Sequence, residues 1–184
     1  MRFLVLLVLL LPAPARALEI CDELWFTRNL VYDRAGYCFG SALGKAVFET
    51  AECEPVTVEL ADADVEIVDR ILKMEAEFEC EVDIRQDFLA VPQLTLRKTV
   101  TDVPFPMDQE KTCVGWKGER LPLLTARSDD AEVAGAARPG DKLLSQFEPV
   151  DGWAFVEVYQ NDTPAGAGWS KAEIGEASCT AFAG

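Results

Sequence analysis

Six cysteines, at positions 21, 38, 53, 80, 113 and 179, all lie downstream of an apolar N-terminal run. Arg2 opens that run with a positive charge, residues 3–11 are apolar without interruption, and Ala15-Arg16-Ala17 closes the segment with an Ala-x-Ala pattern. This is the layout of a secretory signal peptide, so residues 1–17 are expected to be a leader cleaved after Ala17. As a helix the run spans only about 14 Å against a hydrocarbon core of roughly 30 Å, too short for a membrane anchor. Bulky Ile20 before Cys21 disfavours a lipoprotein. An even cysteine count in an exported chain predicts three disulfides, and no Cys-x-x-Cys pair points to a metal or redox site instead. No metal site and no cofactor are expected.

The 184 residues contain no histidine, which removes Ser-His-Asp and Cys-His nucleophiles and every imidazole-ligated metal. With 17 basic and 32 acidic residues the net charge is −15, and loss of Arg2 and Arg16 with the leader takes it to −17. Nucleic acid needs a cationic face and is excluded as a partner on that balance. No later segment is long and apolar enough to insert in a membrane, so none is expected to after leader removal.

Three helices are predicted first. Leu24, Trp25, Val31, Tyr32 and Ala35 fall at helical spacing within residues 22–35, with Gly36 at the stop position. Ser41 is the expected N-cap of a short second helix presenting Leu43, Val47 and Phe48. In the third, Asp62 and Asp64 precede a stripe of Ile67, Val68, Ile71, Leu72, Met74 and Phe78. Residues 84–108, with three prolines and the run Thr99-Val100-Thr101, predict an extended connector holding at most one strand. Residues 121–127, 142–147, 153–159 and 168–171 are predicted strands separated by Pro139-Gly140-Asp141, Asp151-Gly152 and residues 164–168. The pattern predicts an α+β chain: a small disulfide-linked helical domain at residues 18–83, a connector at 84–108, and a small β-barrel at 109–184.

Two family resemblances sharpen that division. Leu124-Thr125-Ala126-Arg127-Ser128, Arg138-Pro139-Gly140-Asp141, Asp151-Gly152-Trp153 and Gly168-Trp169 follow the order and spacing of a bacterial SH3-like domain. Asp129-Asp130 stands where such domains carry Gly-Pro. Residues 21–39, with Tyr32, Arg34 and Gly36 at three of the five name-giving positions, resemble the YARHG domain, an extracytoplasmic helical module. Asp33 and Ala35 replace its Ala and His. The resemblances imply a bacterial protein of the periplasm or secreted fraction and nothing catalytic.

In a barrel with adjacent ends, Cys113 before the first strand is expected to pair with Cys179 after the last. An antiparallel pair of first and second helices is expected to return Cys53 to Cys21, leaving Cys38 for Cys80. Any ligand contact carried over from SH3-like domains falls on Arg127, binding a carboxylate through its planar fork beside an aromatic wall from Trp153 or Tyr159. The bland reading has Arg127 pinning the loop through Asp129 or Asp141. Trp153 and Trp169 fit a groove or a barrel core equally well.

Other motifs reduce to structure. Arg28 and Tyr32 share a helix face and could shape a polar site, but a role in tying the hairpin together suffices. Asp62, Asp64, Glu66 and Asp69 lack the glycine and late glutamate of a calcium loop. Glu75, Glu77, Glu79, Glu81 and Asp83 alternate around a helix instead of converging, as a solvated face does. The expectation is a binding protein and not an enzyme. It docks on a cell-envelope component, with the peptide of peptidoglycan favoured by the SH3-like resemblance. The alternative is an acidic inhibitor or interaction protein for a basic envelope protein such as a lysozyme.

Overall fold

A computed structural model describes residues 15–49 and 57–184, with side chains from Ile20 onward. The proposed leader, apart from its last three residues, and Cys53 lie outside the described residues. Four helices precede and flank one sheet: α1 (Ala15–Arg34), α2 (Ala42–Phe48), α3 (Asp62–Glu77) and α4 (Leu94–Thr99). The strands are β1 (Pro106–Trp116), β2 (Leu121–Leu124), β3 (Val133–Ala137), β4 (Lys142–Phe147), β5 (Ala154–Gln160), β6 (Thr163–Ser170) and β7 (Cys179–Ala183).

Helix α1 is buried almost all round from Ile20 to Val31, because α2, α3 and the sheet each cover part of it. Ile20, Cys21 and Leu24 pack on Ile71 of α3. Trp25, Phe26 and Leu30 join Phe39, Leu43, Val47 and Phe48 in a second cluster. The Ser41 side chain accepts from the Gly44 N–H at 3.1 Å, the N-cap expected from sequence. A Cβ on Gly44 would come within 2.5 Å of the Phe39 Cβ, so this glycine in a helix is a packing requirement. On α3, Val68 and Ile71 are buried, whereas Leu72 of the expected stripe is solvent-exposed.

The disulfides correct one expectation and meet another. Cys21 pairs with Cys80 at a Cα–Cα distance of 5.3 Å, which overturns both the Cys21–Cys53 and the Cys38–Cys80 pairings. The reason is that α3 runs antiparallel along α1: Arg28 meets Glu75, and Cys80, three residues past the end of α3, reaches Cys21 in the first half of α1. Cys38 is disulfide-bonded as well. Cys113 pairs with Cys179 as expected, at 5.4 Å between Cα atoms.

All strand pairings are antiparallel, in the order β3-β2-β6-β5-β4-β1-β7. The sheet is not a closed barrel; β3 and β7 are its edges. Predicted strand 142–147 coincides with β4, but the turn placed at residues 164–168 is strand. The chain reverses instead at Asn161-Asp162, both with positive φ (50° and 59°), the two-residue loop whose twist matches a hairpin. Gly168 lets β2 approach β6: a Cβ there would lie 2.8 Å from the Leu124 carbonyl oxygen. The extended connector is also corrected. Its threonine-rich run ends α4, Val100 is fully buried, and the first strand begins only at Pro106. No described helix is long and apolar enough to cross a membrane.

Candidate functional site

Side chains alternate along β5, so Val156 and Val158 face one core while Phe155, Glu157 and Tyr159 face the other side of the sheet. On that second side lie α1 and α4, which bring Glu23 and Arg97 against the strand. Arg97 Nη1 donates to both oxygens of Glu23, at 2.7 and 2.6 Å, and each residue is only 2% exposed. The guanidinium lies between the rings of Phe26 and Phe147, 4.9 and 5.0 Å from their centroids. This pair joins the first helix to the segment leading into the sheet across 74 residues.

Glu157 is 1% exposed, and its Oε1 has no hydrogen-bond partner. Burial pushes its carboxyl up to about 7; the charge of Arg97 draws it down, and Glu23 and Glu110 add to the rise. Tyr159 is pushed up too, first by burial and then by the Glu157 charge. A cavity of about 150 Å³ opens beside these groups, lined by Glu23, Pro92, Glu110, Leu144, Glu157 and Tyr159. At its helical rim the Ala90 N–H donates to Asp22 Oδ2 at 3.1 Å. Burial raises the Asp22 carboxyl, and that hydrogen bond offsets part of the rise. Among the described residues no group of three or more Cys, Asp or Glu is placed to hold a metal ion.

The four residues proposed from sequence do not share one pocket. Arg127, past the end of β2, lies over the Trp169 ring at 5.3 Å. Its backbone N–H donates to Asp102 Oδ2 at 2.7 Å and its Nε to the same oxygen at 3.3 Å. Asp102 therefore holds the place given to Asp129 or Asp141. Asp129 takes Lys171 at 2.6 Å, while Asp141 accepts from the Arg138 N–H and from Gln160. Trp169 is 1% exposed and its Nε1 donates to the Asp102 carbonyl at 2.8 Å. Trp153 is buried beneath Lys171, whose Nζ lies 4.6 Å from its ring centroid, beside a shallow hollow of about 260 Å³. Tyr159 is on the seam cavity and does not line the hollow with Trp153.

Arg28, Asn29 and Arg34, the polar residues of α1 weighed from sequence, make structural contacts. Arg28 pairs with Glu75 at 3.1 Å, and Asn29 Nδ2 donates to the Trp25 carbonyl at 2.7 Å. Arg34 donates to the carbonyls of Val100 and Thr101, not to its own hairpin. The Glu23, Arg97 and Glu157 cluster had one visible signal in sequence, a lone acid amid Phe155-Val156 and Val158-Tyr159. Its two partners, 60 or more residues away along the chain, had none.

Two family models match. The DUF4453 model, a domain of unknown function, covers residues 79–184, and the YARHG domain model covers residues 3–76. No curated protein and no solved structure matches the chain.

Proposed function

We propose, for a chain that belongs to the DUF4453 family and carries a YARHG domain ahead of it, a non-enzymatic binding protein of the periplasm or secreted fraction. The YARHG domain is extracytoplasmic, and the disulfides fit an oxidising compartment. Residues 1–17 are the leader in this reading. Strands β2 to β6, with the Arg-Ser, Gly-Asp and Gly-Trp signals, are an SH3-like unit to which β1 and β7 add an edge.

The partner is a basic envelope protein, of which a lysozyme is the model case. One observation carries this: the acidic surplus is left on the surface. Asp62, Glu66, Asp69 and Glu77 of α3 are exposed, and Glu75 is the acid of that helix in an ion pair with a described cation. Such a face raises the encounter rate with a cationic partner and loses that advantage as salt rises. The peptidoglycan reading draws on Arg127, one-third exposed over Trp169. Its charge is already met by Asp102, Trp153 is buried in the core and Tyr159 lines a different cavity, so it ranks second.

The test is a pull-down of the purified protein on immobilised lysozyme and on purified peptidoglycan, each at low and high salt. Capture by lysozyme that disappears at high salt is expected. Capture by peptidoglycan alone, unaffected by salt, would replace this reading with the second.

A further inference from the structure

We propose that the seam cavity beside Glu157 is a binding site for a short alkylammonium group. Three features of the cavity select that chemistry. The first is an unmet acceptor: Glu157 Oε1 is buried without a hydrogen-bond partner on the cavity wall. The second is charge. Arg97 from α4 is hydrogen-bonded to Glu23 from α1 and acts on Glu157 only through its charge, so among the described residues neither Glu157 on β5 nor Glu110 on β1 forms an ion pair. Tyr159, neutral here, is the remaining titratable group on this wall. The third is the apolar lining from Pro92, Leu144 and the Tyr159 ring, which suits methylene groups and not a hydrated ion.

Size and donor set narrow the choice further. A cavity of about 150 Å³ is several times the ~30 Å³ share of one water and below the ~300–1,000 Å³ of drug-sized sites. It holds the end of one chain, not a whole sugar or nucleotide. A calcium ion would need six to eight converging oxygens, and the described acids do not converge in that way. An ammonium brings three donors to a pair of carboxylates and neutralises the charge that makes the cavity costly.

The site stands apart from the surface reading, since a buried ion pair is screened by salt far less than an exposed one. Binding here is expected to persist at the salt concentration that abolishes capture on lysozyme. The probe is n-butylammonium chloride, titrated calorimetrically into the disulfide-intact protein at high salt, with n-butanol as the neutral control. At pH 8 one equivalent of butylammonium binds and butanol does not. Because the Glu157 carboxyl titrates near 7, affinity falls about tenfold per pH unit below that.

Glu157→Gln, checked for native circular dichroism, abolishes the heat of binding. Glu110→Gln, at an exposed position, weakens binding severalfold without touching the core. Parallel titrations with cadaverine and with a blocked lysyl tripeptide assign the natural source to a free amine or to a protein side chain. No saturable heat from butylammonium, equal heat from butanol, an unchanged Glu157→Gln variant, or displacement by calcium overturns the proposal.

Discussion

Glu157→Gln is expected to make the protein more stable at alkaline pH and to leave it unchanged in acid. The native carboxyl holds its proton up to about 7, whereas the unfolded chain releases it near the ordinary value of 4.5. Between those values the folded state binds more protons than the unfolded one, so stability falls as pH rises. Each pH unit across that interval is worth about 1.4 kcal/mol. The loss therefore accumulates to about 3 kcal/mol by pH 8, on the order of 6–12 °C in Tm for a chain of this size. Glutamine keeps the shape of the protonated acid and cannot ionise, so its variant escapes the loss. The assay is urea unfolding of both proteins at half-unit steps from pH 4 to pH 8, without reductant. The difference between the two curves isolates Glu157 from the other titrating groups. Coincident curves at every pH, or a variant less stable than wild type at pH 8, would refute a buried ionising carboxylate at this position.

Four further outcomes follow from contacts described above. Glu23→Ala leaves the Arg97 guanidinium buried without its ion-pair partner and costs about 3–5 kcal/mol. The double variant Glu23→Met with Arg97→Met stays within about 1–2 kcal/mol of wild type, measured by the same unfolding assay. Removing the Cys113–Cys179 bridge by a double alanine substitution frees a loop of 66 residues and lowers stability by about 4 kcal/mol. Peptide mapping without reduction should give Cys21 with Cys80 and Cys113 with Cys179. Arg127→Lys loses the stack on Trp169 and lowers stability by up to about 1 kcal/mol. Capture on lysozyme should be unchanged at equal folded protein.

What was legible in the sequence was local. Ser41 announces a cap because a serine before an apolar run satisfies an orphan N–H, and strand β4 is bracketed by the turn residues Pro139-Gly140-Asp141 and Asp151-Gly152. Strand β3, Val133-Ala134-Gly135-Ala136-Ala137, has almost no large side chain to alternate, so its place depends on pairing with β2 and close packing on β6. Strand β1 opens on Pro106 and Met107 and then passes through the exposed polar run Asp108-Gln109-Glu110, which breaks any alternation. Helix α4 contains Thr95 and Thr99, weak helix formers, and forms where its arginine is buried against Glu23. The site was illegible for the same reason. Arg127 and the tryptophans carry a motif, while Glu23, Arg97 and Glu157 are ordinary residues until three distant segments fold together.

The Glu23–Arg97 pair also bears on how such a chain can be reassembled by recombination. Glu23 falls within the YARHG match and Arg97 within the DUF4453 match, and their ion pair is buried at both ends. A crossover that exchanged the first module for a homologue lacking a carboxylate at that point would strand a guanidinium between Phe26 and Phe147. The cost of one unpaired buried charge, several kcal/mol, is of the same order as the whole stability of a typical domain. The two modules are thus heritable as a matched set, and a substitution at either partner selects for its counterpart in the other.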